Sequence, residues 1–311
     1  MSEKKSQKDR KKASEALEKL LRSGIPPEEF TRRLFELDYS QVEASDPELA
    51  AMMRACAIPR SFDVDTIGAL RDKPDNIGLL KALLDYSFVL ERQRGGYTYH
   101  DNIRQMLMNW WQQSENQALL SVYKSRLAAF YFSKGKEVYK QKNYEAALDY
   151  LNQAIEHKAG DQELHYRRGL AYLKLGDYAN AKNDIEKAIN IGLITADVYY
   201  DLGIALYFLN DHEAALVACS KSIELNPQDA KAFYNRGNVY RDLGKLEQAL
   251  ADFNRAIELE PQDAMAYNNR GIIKKDLGKL EQALADFNRA IELNSKYTMA
   301  CNNRGLVNKD L

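Results

Sequence analysis

The sequence predicts an all-α solenoid of 34-residue helix-turn-helix repeats, preceded by a small α+β module. Three observations carry this. Residues Asp242–Leu259 read DLGKLEQALADFNRAIEL and recur letter for letter at Asp276–Leu293, 34 positions on. From Ala128 onward, small residues return in one frame without an insertion, which is the mark of stacked supersecondary units. Before Ala128 that frame disappears, and a short strand, a Gly-Gly turn and a second strand interrupt the helical periodicity.

The elements follow in order. Residues 1–14 form a basic, polar tail, with Lys4, Lys5, Lys8, Arg10, Lys11 and Lys12 against Glu3 and Asp9, expected to be a frayed terminus. Residues 15–45 read as a helical linker. Leu17, Leu20 and Leu21 share one side of its first helix, and Pro26-Pro27 open a second over 28–37. Residues 46–127 hold the α+β module and a connecting helix. Asp46 is placed to cap a helix from Pro47 to Ala57, and Phe62–Leu70 gives another. Asn76 is placed to cap a third, with Ile77, Leu79, Leu80 and Leu83 buried. A strand over Ser87–Arg92, a Gly95-Gly96 turn and a strand over Tyr97–His100 lead to a last helix, Asp101–Gln112, with Asp101 as its cap.

Three helices, a two-stranded wing and a closing helix make a winged-helix-like order. The runs Arg54–Asp63, Leu83–Val89 and Tyr97–Asp101 resemble the winged helix of the STAND class of signalling ATPases. There it lies between a nucleotide-binding domain and a repeat sensor. The resemblance implies that His100, followed by Asp101, senses nucleotide phosphate; Tyr99 stands where the family has methionine. Because the chain has no GxxxxGK[ST] loop, that nucleotide-binding domain would act in trans from another polypeptide, or lie on a missing N-terminal stretch. The plainer reading of His100 is a wing-end residue packed beneath the next helix.

The repeat units start at Ala128, Gln162, Ala196, Ala230 and Ala264, with a partial unit at 298–311. Position 8 is glycine in all six, and position 20 is Ala147, Ala181, Ala215, Ala249 and Ala283, where the two helices of a unit approach. Position 24 carries Leu151, Ile185, Cys219, Phe253 and Phe287, expected to fill the space between units. Gly176, Gly244 and Gly278 end first helices, and Pro227 and Pro261 end second ones. These features resemble the tetratricopeptide repeat (TPR) over residues 128–311. The array lacks a polar capping unit, so the sequence reads as one piece of a longer repeat protein, or as an end that docks onto another copy.

The resemblance implies a concave face lined by positions 2, 5, 6, 9, 12 and 13 of each first helix. The candidate peptide groove is Phe132, Tyr139, Tyr166, Tyr200, Tyr207, Tyr234, Asn235, Asn238, Arg241 and Asn269: aromatic rings for apolar contact, amides for a ligand's main chain. These residue types are also ordinary repeat residues, so a purely structural arm is the competing reading. The basic residues of the family's dicarboxylate clamp are missing, which argues against capture of chaperone C-termini.

Formal net charge is -1, and residues 46–112 balance eight Lys/Arg against nine Asp/Glu. No basic footprint points to nucleic acid. The alternative function is a DNA-binding regulator that would use Arg92 and Arg94. No apolar run predicts a signal peptide or membrane span. Cys56, Cys219 and Cys301 sit apart at apolar helical positions and read as buried thiols of a cytoplasmic protein. The four histidines lack metal spacing, and no nucleophile–base pair stands out, so no cofactor, metal or catalytic residue is expected. The reading is a non-enzymatic scaffold or sensor arm whose partner is a protein or peptide; an enzyme cut before its catalytic domain is the remaining rival.

Overall fold

The structure is a computed structural model that describes residues 39–40, 42–44, 46–59, 61–71, 83, 89–92, 96–99 and 101–310. The chain divides into two compact units. One is 1–133 with 156–158, and the other is 134–155 with 159–311.

In the first unit, α1 (Pro47–Ala55) begins where Asp46 accepts the Leu49 amide at 3.0 Å and Pro47 needs no donor partner. Helix α2 spans Val64–Arg71. It starts later than the pattern predicts, because the Asp63 carboxylate takes the Thr66 amide at 2.8 Å and leaves Phe62 outside the helix. Phe62 instead pairs antiparallel with Tyr97. Strands β1 (Val89–Glu91) and β2 (Tyr97–Tyr99) form an antiparallel hairpin, with Val89 opposite Tyr99 and Glu91 opposite Tyr97. Helix α3 (Asp101–Trp111) has Asp101 as its first helical residue rather than its cap. Trp111 anchors it: the indole is buried and donates to the Arg54 carbonyl at 2.9 Å. The basic tail, the linker helices of 15–37, the helix expected after Asn76 and His100 lie outside the described residues. Leu83 alone of that third helix is described, helical and buried.

Helix pairs follow: α4 (Gln117–Lys140) and α5 (Tyr144–His157), α6 (Gln162–Leu175) and α7 (Tyr178–Ile191), α8 (Ala196–Phe208) and α9 (His212–Leu225). Then come α10 (Ala230–Asp242) and α11 (Leu246–Leu259), α12 (Ala264–Asp276) and α13 (Leu280–Leu293), and the single helix α14 (Thr298–Asp310). Aspartates cap three of the first helices; Asp161, Asp229 and Asp263 each accept an amide of the following turn. Gly244 has φ +71°, the left-handed turn that lets α10 reverse into α11.

The core is a row of repeated contacts. A Cβ added at Gly271 would lie 2.7 Å from Phe287, so glycine is what lets the two helices of that unit close. Position 24 therefore packs first beneath the glycine of its own unit. It reaches the next unit as well, since Phe253 clusters with Ala249 and Ile273. Cys56 and Cys219 are buried as expected, but Cys301 is only partly so.

Candidate functional site

Positions 5 and 6 of the first helices build a ladder. Because each helix repeats 34 residues on, position 5 of one unit meets position 6 of the next at a separation of 35. The Tyr166 hydroxyl donates to Asp201 Oδ2 at 2.7 Å. Tyr200 is hydrogen-bonded to the Asn235 side chain. The Asn269 amide donates to the Tyr234 hydroxyl at 3.0 Å, and that of Asn303 donates to Asn268 Oδ1 at 3.0 Å. Asn269 also donates to Asn238 Oδ1 at 2.9 Å, and Asn268 donates to Asn269 at 3.2 Å. A parallel rung joins positions 12 and 13, with Tyr207 donating to Asp242 at 2.6 Å.

Of these rungs between positions 5 and 6, the first ends on a carboxylate and the others on amides. Burial pushes the Asp201 carboxyl up to about 6; the Tyr166 hydrogen bond offsets part of this, and nearby Asp197 adds to it. At the parallel rung, burial and the Asp242 charge push the Tyr207 hydroxyl up to about 12. Burial would raise the Asp242 carboxyl too, but the Tyr207 hydroxyl and the Arg241 guanidinium outweigh it and hold the group below its ordinary value.

Behind the ladder, arginine forks fix neighbouring units. Arg236 donates to both oxygens of Asp252 at 2.7 and 2.8 Å, and to Ser220 of the preceding unit at 3.3 Å. Arg168 grips Asp184 and Asn152 in the same way, as Arg270 grips Asp286 and Asn254. In unit 196–229 the same two positions are Leu202 and Ala218, both buried. The pair is thus replaced as a pair, which keeps a carboxylate from being left alone in the interior.

Two hollows open on the face made by the first helices. One, of about 590 Å³, is lined by Phe208, Arg241, Met265, Ile272, Met299 and the Asn238, Asn268, Asn269, Asn302 and Asn303 amides. The other, of about 730 Å³, lies among Tyr200, Lys231, Tyr234, Asn235 and Met265. Phe208, Met265 and Met299 are each more than half exposed.

Of the sequence-predicted residues, Tyr200, Tyr207, Tyr234, Asn235, Asn238, Arg241 and Asn269 line these hollows, and Tyr166 forms the first rung. Tyr139 packs edge-on against Tyr144, with ring centroids 5.1 Å apart. Phe132 belongs to the first compact unit. Asp201, Phe208 and Met265 are face residues absent from the expected groove. They occupy positions 6, 13 and 2 of the expected face, so position alone would have found them; Phe208 is also a ring, whereas a lone acid and a lone thioether fall outside the pattern of rings and amides. The arginine forks were legible too, as an Arg-Gly pair with an aspartate 16 residues on.

Stacked helix pairs that present one ligand-sized face define a helical repeat scaffold. Residues 162–297 of this chain are tetratricopeptide repeats. The tetratricopeptide repeat family matches at 196–229, 230–263 and 264–297, and a second profile of that family matches 162–191. No curated protein matches the chain. Among solved structures, YrrB, described as a TPR protein with an unusual peptide-binding site, is 25% identical, with TM-score 0.54 over 62% of this chain and 98% of its own. MamA residues 41 to the end from Desulfovibrio magneticus RS-1 are 24% identical, with TM-score 0.53 over 55% of this chain and 97% of their own. Among the described residues, no helix is long and apolar enough to cross a membrane, and no group of His, Cys, Asp or Glu is placed to hold a metal ion.

Proposed function

We propose that this protein is a non-enzymatic interaction scaffold that binds a partner protein or peptide along the face built from positions 2, 5, 6, 9, 12 and 13. The observation that carries the reading is the ladder. Rungs between neighbouring units hold this face in register, while exposed apolar side chains and amides remain beside it for a ligand. The array would start at Ala128 and include 298–311, with Tyr139 extending the face. The kinship with YrrB, a protein described by its peptide-binding site, favours the same reading. The test is capture from native lysate with the full chain as bait, beside a Tyr200→Ala/Tyr234→Ala variant. A partner lost with the variant supports the groove. A partner kept by the variant assigns binding to another surface.

The order helix, helix, antiparallel hairpin, helix in the first unit favours a winged-helix module there. Coupled to the STAND resemblance, it makes the repeat face a sensor for a nucleotide-binding domain in trans, in the cytoplasm. The measurement is nucleotide retention by a STAND-type ATPase mixed with the chain or its His100→Ala variant. Equal retention with both removes the role given to His100.

A further inference from the structure

We infer that the 590 Å³ hollow selects an extended, uncharged peptide segment with apolar side chains at every third residue; this rests on the groove reading above. The hollow is built from one triad used twice. Met265, Asn268 and Asn269 on α12 recur as Met299, Asn302 and Asn303 on α14, and all six line it. Asn303 donates directly to Asn268 at 3.0 Å, so the two copies are locked side by side. A ligand group that fits one methionine finds the same surface on the first helix of the next unit.

The charge of the hollow sets the ligand's charge. Arg241 is paired with Asp242 at 2.9 Å. Arg241 is the charged residue of the lining, so an acidic tail would have to break its pair, whereas a neutral segment leaves it intact. Met265 and Met299 are 52% and 60% exposed, and a flexible thioether adapts to varied apolar partners. Asn268 and Asn269 are occupied within the ladder; the exposed Asn302 is left to meet a ligand's main chain.

Spacing sets the ligand's conformation. Adjacent packed helices lie roughly 8–10 Å apart. A polyproline-II segment advances about 9 Å in three residues and returns each third side chain to the same face. A β-strand returns side chains to one face at about 7 and 13 Å, which matches neither triad.

The test uses the full chain and fluorescence anisotropy with labelled neutral peptides of about 12 residues in a Pro/Ser/Gln background. One peptide has two leucines three residues apart, one has them two apart, one has a single leucine, and one adds an acidic C-terminal run. The expected result is binding about tenfold tighter for the three-residue spacing than for the single leucine, and a loss of about fivefold with either Met265→Ala or Met299→Ala. Both methionines are largely exposed, so these variants keep the fold; a circular dichroism melt checks it. Binding that ignores leucine spacing, prefers the acidic peptide or is untouched by both methionine changes overturns the inference. If that binding is still lost with Tyr200→Ala/Tyr234→Ala, the groove itself stands. No binding by any of the peptides also overturns the inference, and partner capture by the tyrosine face then decides the groove reading separately.

Discussion

Asp201→Asn should stabilise this protein above neutral pH and do nothing in acid. Asp201 stands where the next three units have Asn235, Asn269 and Asn303, so asparagine already serves at that place in the ladder. The carboxyl is lifted from its ordinary 3.8 to about 6, chiefly by burial. The folded state therefore holds a proton that the unfolded chain has released. Stability is fully present below about pH 3.8 and is lost as pH rises through 6. Each tenfold difference in proton affinity between the folded and unfolded chain is worth about 1.4 kcal/mol, so the ionised side chain costs up to about 3 kcal/mol near pH 8. Asparagine removes the charge and leaves Oδ1 to accept from Tyr166 at the present 2.7 Å contact. Melting followed by circular dichroism, from about pH 4 to about pH 8, measures the difference between parent and variant. It should be near zero at the acid end and grow to roughly 5–10 °C at the alkaline end. A variant that melts with its parent in alkali, or that gains as much in acid, refutes the buried-charge argument.

Three further outcomes follow from the same geometry. Arg236→Leu should cost about 3–5 kcal/mol by leaving Asp252 alone in the interior, and adding Asp252→Ala should restore most of it, since Leu202 and Ala218 already fill these positions one unit earlier; urea titrations of single and double variants measure the coupling. Gly271→Ala would set a methyl 2.7 Å from Phe287 and should lower the denaturation midpoint by the equivalent of about 1–3 kcal/mol, whereas Gly305→Ala, which meets nothing within 4 Å, should be tolerated. With an aromatic disulfide reagent in mild alkali, Cys301 should react fast and Cys56 and Cys219 only on unfolding. Both slow thiols are buried, and burial pushes that of Cys219 up to about 12; three fast thiols in the native protein would contradict this packing.

The repeat is written in the chain itself. The copied segment, the glycines of position 8 and the alanines of position 20 are local features, and a frame of 34 carries them without knowledge of the fold. Helix ends are legible for the same reason, because Asp46 and Gly244 act on the turns beside them. Seven of the expected face residues line the hollows, since position within a helix fixes which side a residue takes. Contacts between units have no such local signal. That Tyr166 meets Asp201, that Asn303 meets Asn268, and that Arg236 reaches Ser220 depend on how far each helix pair turns against the next. That turn is set by packing such as Phe253 against Ile273, which joins two units and belongs to neither alone. Asp201 shows the consequence: along the chain it is one aspartate among many on helix faces. Its place against Tyr166 of the preceding unit buries it and changes its chemistry.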